Sequence, residues 1–245
     1  MKKDSKIILS IIIPCFNELN NISRIFEKIE NIKEKYFEII LVNNGSTDET
    51  KFFLNRAKVN FNLNVINIKE NIGYGGGIIE GVKASSGKII SWTHSDLQTD
   101  IEDVFKLYKC FIENKDHRKI ILKGKRVNRN LFDTLFTFMM SAICKFYLNI
   151  KLLDINGQPK MFHRDFLKEL KNAPLDFSLD LFLLYKANKL DFTILEYPVR
   201  FKKRLYGESK GGGTVKGKIN LIKRTLSYII QIKKENRGKS GVDNP

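Results

Sequence analysis

Ile7-Ile-Leu-Ser-Ile-Ile-Ile-Pro14 opens the chain's first ordered element, and its near-continuous apolar character marks a strand buried on both faces. The next segment switches period. From Asn20 to Lys35 the apolar residues Ile22, Ile25, Phe26, Ile29 and Ile32 recur at helical spacing. Glu38 to Val42 is a second buried strand, Asp48 to Lys58 a helix, and Leu63 to Ile68 a third strand. A glycine cluster, Gly73 to Gly77, begins a helix that runs to Ala84. Lys88 to Thr93 is a fourth strand, followed by a helix over Ile101 to Asn114 with an acidic first turn that suits its dipole. Strand and helix alternating at this spacing predict an α/β fold with a mostly parallel, doubly wound, Rossmann-like sheet. Ligands of such sheets bind beyond the carboxyl ends of the strands. Three polar loops lie there: Pro14 to Glu18, Asn43 to Asp48 and His94 to Asp100.

The second half is less regular. Ile120 to Leu122, Pro159 to Phe162 and Phe192 to Val199 read as strands, and Leu131 to Leu148 and Asp180 to Asn188 as helices. Gly207 to Gly213 is a glycine-rich basic loop. Lys216 to Lys234 is an amphipathic helix, with Ile219, Ile222, Leu226, Ile229 and Ile230 towards one face. Asn236 to Pro245 reads as a disordered tail, so a single domain is expected over residues 1–235.

Bulk properties narrow the function. Lys and Arg number 43 against 27 Asp and Glu, a net charge of +16 that attracts polyanions. A Lys- and Ile-rich background composition is the competing reading of that excess, and no aromatic-basic motif supports nucleic-acid binding. Cys15, Cys110 and Cys144 are too few and too scattered for a disulfide framework or a zinc site, which suits a reducing, cytoplasmic compartment. The most apolar stretch, Leu131 to Ile150, is interrupted by Asp133 and Lys145, so no membrane-spanning helix is expected.

Four segments together resemble glycosyltransferase family 2 and, within it, the dolichyl- or polyprenyl-phosphate mannosyltransferase-like branch. They are Ser10-Ile-Ile-Ile-Pro-Cys-Phe-Asn-Glu18, Ile39-Ile-Leu-Val-Asn-Asn-Gly-Ser-Thr-Asp48, Asn71-Ile-Gly-Tyr-Gly-Gly76 and Thr93-His-Ser-Asp-Leu-Gln-Thr-Asp100. A fifth, Arg204-Leu-Tyr-Gly-Glu-Ser-Lys210, follows in the family's order. The resemblance implies a GT-A fold and a nucleotide-sugar donor contacted by Pro14, Phe16, Glu18, Val42, Asn44, His94, Ser95, Asp96, Arg126, Arg204 and Lys210. The family usually has paired aspartates where this chain has Asn43 and Asn44, a change that leaves the base open. The glycine cluster fits neither dinucleotide nor P-loop spacing and reads as a tight turn with close helix–sheet packing.

Sugar transfer expels a diphosphate whose growing charge must be neutralised, commonly by Mg2+ or Mn2+ on oxygen ligands. Related enzymes use Asp-x-Asp with a nearby Gln. Here Asp96 and Gln98 remain, and His94 replaces the first Asp. Imidazole suits Mn2+ better than Mg2+, and a plain hydrogen-bonding role for His94 stays open beside ligation. Arg204 and Lys210 match a family loop that closes over phosphates, and Lys160 keeps a basic position facing sugar or acceptor.

The acceptor implied is a polyprenyl phosphate at the cytoplasmic face of a membrane, with the basic helix making peripheral contact with anionic lipid. Packing of that helix and of Leu131–Leu148 on the sheet is the competing reading, and for Leu131–Leu148 the favoured one. A lipid phosphate can attack directly, with inversion. A sugar hydroxyl of a lipid-linked glycan would need a base, for which Asp180 is placed, unless it merely stabilises a helix start. A non-catalytic nucleotide-sugar-binding or membrane-associated module is the alternative of a different class.

Overall fold

The computed structural model describes residues 6–129, 131–150, 152–206 and 215–240. One seven-stranded sheet organises them: β1 (Leu9–Cys15), β2 (Phe37–Asn44), β3 (Asn62–Ile68), β4 (Ile89–Trp92), β5 (Ile120–Val127), β6 (Lys160–His163) and β7 (Thr193–Arg200), in the order β3-β2-β1-β4-β6-β5-β7. β1 to β4 pair in parallel, as the alternation predicts. β6 is antiparallel to both neighbours, β4 and β5, while β5 and β7 are parallel. Two reversals restore the direction, so the carboxyl ends of β1, β2, β4, β5 and β7 open on one edge.

The helices are α1 (Leu19–Glu30), α2 (Thr50–Arg56), α3 (Tyr74–Lys83), α4 (Glu102–Glu113), α5 (Leu131–Leu148), α6 (Leu179–Lys189) and α7 (Val215–Ser240). Two hydrophobic layers sandwich the sheet. Ile11, Ile13, Ile39 and Leu41 face one side with Ile25 and Phe26 of α1 and Val104 and Leu107 of α4. Ile12, Ile40 and Val42 face the other with Ile78 of α3, Leu183 of α6 and Ile229 of α7. Alternation along fully buried strands is what a sheet covered on both faces requires. Gly81 lets α3 pack tightly on β1: a Cβ there would lie 2.4 Å from Ile12 Cγ2.

Four expectations are corrected. α1 stops at Glu30, with Asn31 closing the helix, rather than reaching Lys35. α7 continues through 236–240, where a disordered tail was expected; residues 241–245 lie outside the described residues. α5 does not lie flat on the sheet. Met140, Ser141, Cys144 and Leu148 are buried, while Leu131 is 89% and Phe146 81% exposed. That helix is also long and apolar enough, by length and composition alone, to cross a membrane, contrary to the expectation of no such stretch. α6 explains its position: every residue from Leu179 to Tyr185 is buried, so the sheet face is already filled.

Candidate functional site

The loops after β1, β2 and β4 are stitched to one another. Ser95 Oγ donates to the Pro14 carbonyl at 3.1 Å. Asn17, with φ of 56°, bridges to the second loop: its backbone N–H donates to Ser46 Oγ at 3.0 Å, and its Oδ1 accepts from the Thr47 N–H at 2.8 Å. Asn tolerates this left-handed conformation better than most residues. Pro14 is buried, and Phe16 and Glu18 are half-buried at the mouth of β1.

Asn44 is placed differently from the expectation of an open donor contact. Its Oδ1 accepts from the Ile72 N–H at 3.1 Å and its Nδ2 donates to the Gly73 carbonyl at 2.8 Å. Both functions of the amide are spent on the loop that starts α3. Gly73, at φ of 87°, lets that loop pass beneath Leu175, whose carbonyl would be 2.3 Å from a Cβ. Val42 likewise has its side chain in the core rather than in the crevice. A carboxylate at position 44 could not donate to Gly73 O. Asn44→Asp is therefore expected to lower stability by about 1–3 kcal/mol in urea denaturation, from one lost and one repulsive buried contact.

The segment after β7, residues 201–206, crosses the crevice as a strap. Lys202 donates its N–H to Gln98 O at 2.7 Å, and Gln98 Nε2 returns a bond to Lys202 O at 3.2 Å. Lys202 Nζ lies 3.0 Å from Asp100, which also takes Lys28. Burial alone would raise the Asp100 carboxyl, but the hydrogen bonds from Lys28 and Lys202 outweigh it and hold it down to about 2. Further along, Arg204 Nη2 sits 3.2 Å from Glu18 Oε1 and 3.3 Å from Asp96 Oδ2. Asp96 Oδ1 accepts from the Gln98 N–H at 3.0 Å. The structure thus brings together Glu18, Asp96, Gln98 and Arg204 from three separate segments. Lys210 and the loop Gly207 to Gly213 lie outside the described residues.

Behind this cluster is a buried polar network. Lys160 Nζ lies 2.9 Å from Asp180 Oδ1, with the two side chains 0% and 2% exposed. Asp180 also accepts from Gln158 Nε2 at 2.9 and 3.1 Å and from Trp92 Nε1 at 3.3 Å, and Gln158 reaches Tyr74 Oη at 3.0 Å. Asp180 is not open to an acceptor; it lies in the first turn of α6, as the helix-start reading expects, and anchors this network. Lys160 likewise has no open face for a ligand. His94 stacks on Tyr74 at 5.2 Å between ring centroids, and Tyr74 on Phe177 at 4.7 Å. Burial lowers the His94 pKa despite Asp96 and Asp180 nearby, so the ring is neutral at pH 7.

On the far side of the crevice Arg126 grips Asp154: its backbone N–H donates to Oδ2 at 2.8 Å and its Nε to Oδ1 at 2.9 Å, with Nη2 as a third contact. Arg126 is therefore ion-paired, beside the crevice rather than open in it. Sequence reasoning gave no role to Asn17 and Tyr74, although both lie inside the motif segments, nor to Trp92 and Gln158, whose partners are distant in sequence.

Among the described residues no three His, Cys, Asp or Glu side chains converge as a metal set. The oxygen ligands at hand are the Asp96 carboxylate and the adjacent Gln98. That fits a hard cation which keeps most of its ligands as diphosphate oxygens and water, not one caged by protein.

A model of the family described as Glycosyl transferase family 2 matches residues 10–171. The dodecaprenyl-phosphate galacturonate synthase of Rhizobium johnstonii is 26% identical over 174 residues, covering 66% of this chain and 50% of its own length. The dolichol-phosphate mannosyltransferase of Pyrococcus furiosus is 25% identical over 233 residues, covering 92% and 64%. The chain thus spans about half to two thirds of the length of these curated relatives. Glucosyl-3-phosphoglycerate synthase from Mycobacterium tuberculosis, solved with Mn2+, UDP and glucosyl-3-phosphoglycerate, matches with a TM-score of 0.65 at 18% identity, covering 82% of this chain and 73% of that one. At that identity the likeness speaks for the fold, the GT-A arrangement of sheet and helices.

Proposed function

The chain belongs to glycosyl transferase family 2, and from that premise we propose that it transfers a sugar, with inversion, from a nucleotide-sugar donor to a polyprenyl phosphate at the cytoplasmic face of a membrane. The observation that carries this reading is the meeting of Arg204 with Glu18 and Asp96 at the mouths of β1 and β4. Nucleotide binds between the loops 14–18 and 43–48, and its diphosphate comes to rest where Arg204 now lies. Asp96, with Gln98, would hold Mg2+ or Mn2+ there. The ion supplies Lewis-acid stabilisation of the departing diphosphate. Arg204 then turns from carboxylates to phosphate oxygens, which suit its guanidinium fork, and Lys210 adds an ammonium point charge to the same phosphates. His94 serves as a wall of the sugar pocket, its ring fixed by the stack on Tyr74.

A phosphate acceptor is favoured over a sugar hydroxyl by the state of Asp180. A hydroxyl needs a carboxylate within reach to take its proton, and Asp180, the residue placed for that task, is 1% exposed and bonded to Lys160, Gln158 and Trp92. An anionic phosphate oxygen attacks without such a base. The exposed apolar side chains of α5 and the basic α7 beside it suit an acceptor presented from a lipid surface.

The test is a panel of nucleotide sugars with polyprenyl phosphate in detergent and Mg2+ or Mn2+, with products read by mass spectrometry. The expected product is a phosphate-linked lipid monosaccharide from one donor. A product only on a glycan hydroxyl would replace the acceptor reading, and no product with any pair would favour a binding module.

A further inference from the structure

One flank of α1 faces the strap. Asn21, Arg24 and Lys28 fall on it at the three- and four-residue spacing of a helix side. Each bears on the strap or on its partners. Asn21, 1% exposed, donates through Nδ2 to Glu18 Oε2, the carboxylate whose other oxygen takes Arg204. Lys28 joins Lys202 on Asp100. Arg24 reaches the far end: its Nη2 donates to Tyr206 Oη at 2.6 Å, and its guanidinium lies over that ring, 5.0 Å from the centroid. The fold itself does not call for this contact. Arg24 is exposed, on the side of α1 away from Ile22, Ile25, Phe26 and Ile29, and its partner lies 182 positions along the chain.

The strap is held by polar ties. Its base is fixed at Phe201, whose N–H donates to Val127 O at 3.2 Å, and at Lys202, bonded to Gln98 in both directions. Beyond that point no apolar side chain is buried, and Leu205 is 60% exposed. The outer half therefore goes where its ties lead: Arg204 to the crevice, Tyr206 to α1. Fixing residue 206 limits where a guanidinium two residues earlier can swing. We propose that Arg24, acting through Tyr206, is a positioning residue that keeps Arg204 on Glu18 and Asp96 until a diphosphate draws the guanidinium away. Arrival of the nucleotide, not of the cation, then clears the Asp96 carboxylate. That consequence rests on the transfer reading above; the hold of Arg24 on the strap does not.

Two measurements on the unliganded full chain test this. Trypsin cleaves after Lys202, Lys203 and Arg204, so the rate at which those peptides appear by mass spectrometry reports how often the strap comes free. Mn2+ titration followed by paramagnetic resonance reports how often Asp96 is clear of Arg204. Arg24→Met is expected to raise both cleavage rate and Mn2+ affinity by roughly three- to tenfold, the worth of one exposed cation–π contact with a charge-assisted hydrogen bond. The urea midpoint stays at the wild-type value. Tyr206→Leu does the same, and the two combined do no more than either alone, since they break one contact. Arg24→Lys keeps a charge over the ring and recovers part of the hold. In an Arg204→Ala background, Arg24→Met leaves Mn2+ affinity where it stands. The proposal is overturned if Arg24→Met and Tyr206→Leu are cleaved as wild type is, or if Arg24→Met still tightens Mn2+ without Arg204. Faster cleavage with unchanged affinity, in a protein that binds Mn2+, overturns it as well. A chain that binds no Mn2+ in any form sinks the metal part of the transfer reading, and faster cleavage then upholds the hold of Arg24 by itself.

Discussion

Asp96→Asn is expected to lower sugar transfer by about 10³-fold while leaving the urea midpoint within error of wild type. In the proposed reaction the carboxylate lies where charge builds on the leaving diphosphate, and removing one electrostatic partner of that kind costs two to three orders of magnitude. Stability is spared because asparagine can still accept the Gln98 N–H at Oδ1, and the Arg204 contact at 3.3 Å is a partly exposed ion pair of small net worth. Arg204→Ala is expected to move two readouts in opposite directions. In the unliganded protein the guanidinium occupies the space between Glu18 and Asp96 that a cation would need. Its removal should tighten Mn2+ binding in the absence of nucleotide, measured by paramagnetic resonance titration. Donor affinity should fall in the same variant, because the diphosphate loses its fork. Mn2+ binding that weakens together with donor binding would show that Arg204 does not compete for the site.

The strands and their loops were legible because each rests on local pattern. Ile11 and Ile12 face opposite layers, as a two-sided sheet demands, and the loops at 14–18, 43–48 and 94–100 fall on one edge once the strands are parallel. What periodicity could not give was direction of side chains and partners distant in sequence. Glu18 and Arg204 are 186 positions apart, and only the strap after β7 brings them into contact. Asn44 occupies the expected strand end, yet its amide points into the α3 loop because Gly73 and Ile72 offer a matching acceptor and donor. α5 has the composition of a core helix. It stays largely outside because α6 already covers the sheet, and composition alone does not reveal which of two apolar helices takes that place.

Lys160→Met and Asp180→Asn are each expected to destabilise the fold by about 3–5 kcal/mol, since each leaves the other member of a buried ion pair without its counter-charge. Asp180→Asn retains an acceptor for Trp92 Nε1 and Gln158 Nε2, so the damage is electrostatic rather than a general loss of hydrogen bonds. The double variant should therefore be more stable than the sum of the singles implies, with a positive coupling that a double-mutant cycle in urea measures directly. The pH dependence has a definite sign. Burial outweighs the attraction of Asp180 and brings Lys160 from 10.5 down to about 8. Between those values the unfolded chain binds a proton that the folded Lys160 has released, so this group makes stability rise with pH across that window. Below about 8 the lysine is protonated in both states and its contribution is flat. Lys160→Met should remove that rise, leaving the slopes of all other groups. Singles that cost less than about 1 kcal/mol would mean that water reaches the pair, and the dry floor beneath Tyr74 and His94 would have to be redrawn as solvated.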